Sequence, residues 1–242
     1  MEITDSQFWV AVFQIIVIDV ALGADNAIVI ALACRNLPES KRSQGIFWGI
    51  AGAIGIRVLL VFFALQLLTL PYLKIVGAFL LLWIAVKLLL PEPAHGSDAV
   101  AQEQGGGATT LPAVIKTIIV ADTVMSLDNV MGIAAAAGDE LVLVIFGLLF
   151  SVPIIVWGSK LLMQWIERFP VIVVFGAGLL GWVAGKLLVT DAISSVWVDQ
   201  HAAYLHWLAP AGCALLVVGI GKWLAARALR SMPVTVHLSG RE

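Results

Sequence analysis

Hydrophobic residues run through this chain in blocks too long and too unbroken for the core of a soluble domain. Apolar segments lie at about 8–33, 44–68, 72–90, 112–137, 141–165, 170–190 and 204–226, each near the roughly 20 residues with which a helix crosses a bilayer. The pattern predicts an all-α membrane protein with seven transmembrane helices. Between about 91 and 111 it lapses into Pro91-Glu92-Pro93, His95, Gly96, Ser97 and Gly105-Gly106-Gly107, the composition of a flexible cytoplasmic linker. That linker parts residues 1–90 from residues 112–190, with three spans in each, and leaves 191–242 for the seventh span and a basic tail. An odd number of spans per half turns the second half over in the membrane. The predicted architecture is therefore two inverted three-helix repeats plus one additional C-terminal helix.

The polar positions inside the apolar blocks support the duplication. Asp19-Val20-Ala21-Leu22-Gly23-Ala24-Asp25-Asn26 stands in the first segment, and Asp122-Thr123-Val124-Met125-Ser126-Leu127-Asp128-Asn129 stands in the fourth. Both read Asp, five residues, Asp-Asn, after a β-branched stretch. The third and sixth segments match as well, Trp83-Ile84-Ala85-Val86-Lys87-Leu88-Leu89 against Trp182-Val183-Ala184-Gly185-Lys186-Leu187-Leu188. Gly49, Gly52 and Gly55, and Gly176, Gly178, Gly181 and Gly185, suit close approach between membrane helices.

Basic residues orient the chain. Arg35, Lys41 and Arg42 follow the first segment, and Lys222, Arg227, Arg230 and Arg241 follow or close the last, whereas Met1 to Gln7 holds only acids. The N-terminus is expected outside and the C-terminus inside.

Composition changes the picture little. The chain is 61% hydrophobic and 12% charged, with a mean hydropathy of +1.01 and a net charge of −2, so neither a soluble domain nor a nucleic-acid partner is indicated. Cys34 and Cys213 lie in different segments without metal-ligand spacing and read as packing residues. The first segment lacks a basic leader and runs too long for a signal peptide, so it reads as a true span.

An ionised carboxylate at the bilayer midplane costs about 2.5 to 3.5 kcal/mol on insertion scales, which makes each motif acid a candidate functional group. In a regular helix a seven-residue spacing returns to one face, so Asp19 with Asn26, and Asp122 with Asn129, would share a stripe that Asp25 and Asp128 leave. Gathering all six groups in one cavity needs local unwinding, which Gly23 permits in the first copy and Ser126 makes plausible in the second. The resulting oxygen-only site would suit Mg2+, Ca2+ or Mn2+. Met125 is either a soft ligand favouring Mn2+ or a core residue. Arg57, central in the second segment, either neutralises the acids when no cation is bound or is a fixed partner of Asp19 or Asp25. Lys87 and Lys186 lie nearer the ends of their spans and are expected to snorkel.

With these motifs in view, DVALGADNAIVIALACRNLP and ADTVMSLDNVMGIAAA resemble the TerC family of integral membrane proteins, nearest its YjbE-like branch, over nearly the whole chain. The resemblance implies a seven-span bacterial inner-membrane protein of the LysE-type exporter group, associated with Mn2+ efflux. It implies metal handling by Asp19, Asp25, Asn26, Asp122, Asp128 and Asn129. Many members carry Glu where this chain has Asp19 and Asp122, and the shorter carboxylate bears on ion size. The expected function is Mn2+ export through a midplane site charge-balanced by Arg57, with a divalent cation and the lipid bilayer as partners and a homodimer as the assembly. The alternatives are an intramembrane aspartyl protease and a membrane protein supplying metal to secreted enzymes.

Overall fold

Continuous apolar sequence leaves the backbone no partner in a membrane but itself, and the chain answers with helices throughout. The computed structural model describes residues 6–22, 24–63, 66–67, 70–90, 110–137 and 141–230. Among these, nine helices follow in order: α1 (Ser6–Leu22), α2 (Ala24–Cys34), α3 (Glu39–Phe62), α4 (Leu73–Leu89), α5 (Leu111–Ala137), α6 (Leu141–Arg168), α7 (Val171–Val189), α8 (Ser194–His201) and α9 (Leu205–Arg230). The described residues form no strand. By length and apolarity α3, α6, α7 and α9 can each cross a membrane, and α1 with α2, meeting at 54°, can form a fifth span. The helix α4 is short at 17 residues. The three charges Lys116, Asp122 and Asp128 interrupt the apolar run of α5.

Several expectations change in detail. The second apolar block was expected at about 44–68; α3 begins earlier, at Glu39, and ends at Phe62, and Gln66 and Leu67 are again helical. The short helix α8 was not anticipated. Most of the expected linker, 91–109, lies outside the described residues, as does Gly23. The break between α1 and α2 falls where the first motif was expected to unwind. The second motif does not unwind, because α5 runs unbroken through it. The reason is local: the Ser126 hydroxyl donates to the Asp122 carboxylate at 3.2 Å instead of turning back on its own backbone.

Packing follows a few tight pairings. The helix α3 lies along α5, α1 along α6, α4 along α7, and α7 along α9, while α2 touches both α6 and α7. Glycines set the closest approaches. A Cβ on Gly49 of α3 would stand 2.6 Å from Ile118 of α5, and one on Gly147 of α6 would stand 2.3 Å from Ile15 of α1. On α7, Gly181 and Gly185 admit the backbone of α9 itself. Gly55 has open space around it and serves no such contact, because its side of α3 faces no neighbouring helix. Cys34 is buried, Cys213 is half-buried, and both are free thiols. Met125 is a core residue. The ammonium of Lys87 lies over the Trp83 ring, 5.4 Å from its centroid.

Two apolar clusters organise the centre. One gathers Phe8, Val12, Ile15, Leu60, Val61, Leu127, Val130 and Leu148. The other gathers Ile30, Leu32, Ile46, Ile50, Val114, Ile118 and Ile155. Each of α3, α5 and α6 passes from one cluster to the other, and so does the α1–α2 pair. What each carries at the crossing is polar.

Candidate functional site

That crossing layer is built from Asp19 on α1, Asn26 on α2, Arg57 on α3, Asp122 and Ser126 on α5 and Ser151 on α6, all buried. Arg57 is 3% exposed and joins the two halves of the chain. Its Nη1 donates to the Asp19 carboxylate, its Nη2 to Asp122 Oδ1 at 2.6 Å, and its Nε to Ser126 Oγ at 3.0 Å. A planar guanidinium suits this use because its donors point outward as a fixed fork, and both pairs are charge-assisted. Ser126 accepts from Arg57 and donates to Asp122, so it closes a ring with them. On the other side Ser151 Oγ donates to Asp19 Oδ2 at 2.5 Å.

The Arg57 expectation thus resolves in part. The guanidinium pairs with Asp19, as anticipated, but its second carboxylate is Asp122 from the other half and not Asp25. Asp25 is half-buried, and its carboxylate accepts the backbone N–H of Asn26 at 3.0 Å, an acid in the first turn of α2 where the helix dipole favours it. It remains within electrostatic reach of Asp122 and Arg57.

Asn26 is the outlier. It is 3% exposed, and neither its amide oxygen nor its amide nitrogen has a hydrogen-bond partner among the described residues. Buried amides are nearly always satisfied, and leaving one unsatisfied costs about 1 to 3 kcal/mol. It lines a narrow crevice with Val29, Ile30, Ile118 and Asp122, too tight for a water-sized sphere.

Of the six acids and amides expected to handle metal, the structure therefore brings Asp19, Asp122 and Asn26 to one layer, with Asp25 at its edge. Asn129 is half-buried, and the side chain of Asp128 falls outside what is described, so the expected meeting of Asp25 with Asp128 does too. Among the described residues no three His, Cys, Asp or Glu side chains are gathered closely enough to hold a metal ion, and Arg57 pairs with both Asp19 and Asp122. Ser151 was missed by sequence reasoning. It belongs to no repeated motif, and its only signal was a hydroxyl in the apolar run Leu148-Leu149-Phe150-Ser151-Val152-Pro153.

Helices of this length and apolarity around a buried acid–arginine layer define a multi-pass integral membrane protein with a polar site in its interior. The chain belongs to the integral membrane protein TerC family, which it matches over residues 4–229. Among its relatives is the uncharacterized membrane protein YjbE of Bacillus subtilis, 38% identical over 197 residues that cover 81% of this chain and 87% of the relative. The UPF0053 protein YegH of Escherichia coli is 28% identical over 77% of this chain but only 38% of its own length. The UPF0053 inner membrane protein YgdQ of Escherichia coli is 23% identical over 69% of this chain and 75% of the relative. No solved structure matches the chain.

Proposed function

We propose that this protein is a secondary transporter that moves a divalent cation, Mn2+, out of the cytoplasm through the layer between its two apolar clusters. The observation that carries the reading is the buried Asp19–Arg57–Asp122 layer, two acids from the two halves of the chain held at the crossing of four spans. Charged groups at that depth are expensive and mark ion pathways. The cargo ligands in this reading are Asp19, Asp25, Asn26, Asp122, Asp128 and Asn129, with Arg57 balancing their charge. All are oxygen donors suited to a hard or borderline divalent ion, and the unpartnered amide of Asn26 adds an oxygen to the set.

The architecture in this reading is seven spans, made of α1 with α2, then α3, α4, α5, α6, α7 and α9, arranged as two inverted repeats and a final helix. Helix pairing supports it, since exchanging the halves turns the α1–α6 contact into the α5–α3 contact and α2–α7 into α5–α4. The glycine contacts support it too: Ile15 stands four residues before Asp19 and fills the space at Gly147, and Ile118 stands four before Asp122 and fills the space at Gly49. The N-terminus is outside, and the membrane is the bacterial inner membrane, as the name of YgdQ states for that relative.

An aspartyl protease is the weaker reading. Its two acids share one proton at close range, whereas here a guanidinium stands between Asp19 and Asp122. The deciding experiment is flux of radiolabelled Mn2+ from vesicles holding only the purified protein. Efflux above protein-free vesicles, lost in Asp122→Asn, is expected. Absence of metal flux under any imposed ion gradient overturns the proposal.

A further inference from the structure

We infer that Arg57 is a tethered substitute for the cargo, a cation that takes the place of the divalent ion between Asp19 and Asp122 so that the empty carrier reorients without a divalent ion in the site. The inference rests on the transport reading above and concerns how that same site is regulated.

Asp19 and Asp122 are 2% and 5% exposed, and each lies where its element passes from one apolar cluster to the other. Without a cation the pair would hold two negative charges in a desolvated layer, and an uncompensated buried charge is strongly destabilising. With Arg57 between them the three groups sum to a single negative charge, and arginine does not give up its proton in a protein. A carrier whose emptied site leaves two acids uncompensated reorients slowly unless a counter-ion takes the place of the cargo. Here the counter-ion is part of the chain.

Geometry makes the guanidinium a replaceable occupant of the site. It reaches one carboxylate in each half through separate nitrogens, the relation a bridging divalent ion would have to the same two oxygens. The third nitrogen, Nε, rests on the Ser126 hydroxyl, a neutral acceptor weaker than either carboxylate. Beside it the Asn26 amide is buried with no partner of its own, against a crevice that Asp122 also lines. A ligand without a partner next to acids only half compensated is the arrangement expected if one cation leaves as another arrives. Two charges on the incoming ion against one on the guanidinium favour the exchange at carboxylates, and the tether favours the guanidinium's return.

The test separates net efflux from exchange. Vesicles loaded with radiolabelled Mn2+ are diluted into buffer without Mn2+, where the carrier must return empty, and into buffer with unlabelled Mn2+, where it can return loaded. The parent protein is expected to release label at similar rates in both. In Arg57→Gln the ratio of net to exchange efflux is expected to fall by about tenfold or more, since the empty return loses its charge partner. Arg57→Lys keeps one charge but not the fork, and should hold a ratio between the two. An Arg57→Gln ratio equal to the parent's, with exchange intact, overturns the inference and leaves the transport reading standing. Should Arg57→Gln fail to insert, the parent and Arg57→Lys still decide: efflux from the parent that outside Mn2+ accelerates severalfold would show that its empty return is the slow step, and overturns the inference. Absence of both net and exchange flux from the parent overturns the transport reading beneath it.

Discussion

Gly185 lies directly against Pro210: a Cβ added to the glycine would stand 2.5 Å from the proline Cα and equally close to the Ala209 carbonyl oxygen. The obstruction is backbone, which cannot rotate aside as a side chain can. Gly185→Ala is therefore expected to push α9 away from α7 and to cost about 1 to 3 kcal/mol, the usual range for overpacking. Gly55→Ala, with open space around it, should be neutral or slightly stabilising, since alanine is the better helix former by about 0.5 to 1 kcal/mol. Thermal melting of the two purified variants in one detergent would check the contrast. Equal melting temperatures would refute the close-approach account.

The acid–arginine layer predicts an order of stability. Arg57→Gln strands two buried carboxylates, whereas Asp19→Asn or Asp122→Asn still leaves the guanidinium one acid. Removing one partner from a buried pair typically costs about 3 to 5 kcal/mol. Arg57→Gln is expected at or above the top of that range and each Asp→Asn below it. Reversible unfolding in mixed micelles would rank the three, and an Asp→Asn variant less stable than Arg57→Gln would contradict the shared-partner geometry.

Asp191, between α7 and α8, is buried and lies outside the spans. Burial alone would raise its pKa, but it accepts four backbone N–H groups, from Ile193, Tyr72, Ile75 and Lys74, and their combined effect holds the carboxyl below the ordinary value of 3.8. These bonds cap the start of α4 from another part of the chain and support Tyr72, a bulky residue held at φ 66°. A carboxyl more acidic in the folded state than in the unfolded one contributes stability that is fully present above pH 3.8 and lost as pH falls through the lower folded value. The parent should therefore lose melting temperature below about pH 4, and Asp191→Asn, which cannot titrate, should start lower and lose less over the same interval. Parallel pH profiles would remove Asp191 from the account.

In the first turn of α3 a single arginine serves three partners. Arg42 donates to the carbonyls of Leu37 at 3.0 Å and Arg35 at 3.1 Å, and pairs with Glu167 of α6. Half of the Glu167 side chain is exposed, and a pair of that kind contributes about 0 to 1 kcal/mol. Glu167→Gln should thus be nearly silent, while Arg42→Ala, which also releases two carbonyls of the turn, should cost more. Unfolding in mixed micelles would separate them, and equal costs would assign the whole effect to the ion pair.

What the sequence determined by itself was the helical, membrane-embedded character of the chain and the whereabouts of its costly groups. Both are local properties. Hydropathy is summed along the chain, and an acid in an apolar run is conspicuous wherever the helix ends up, so Asp19, Asp122 and Arg57 could be singled out before any contact was known. Which of them meet was decided by tertiary packing alone. Arg57 and Asp122 are 65 residues apart, and Ser151 reaches Asp19 across 132. No spacing rule spans such separations; the meeting depends on α3 lying along α5 and α1 along α6, and those approaches depend on Gly49 and Gly147 having no side chain. Packing also decided the state of the second motif. Ser126 could have loosened its helix, but with Arg57 and Asp122 beside it the hydroxyl found better partners than its own backbone, and α5 stayed whole.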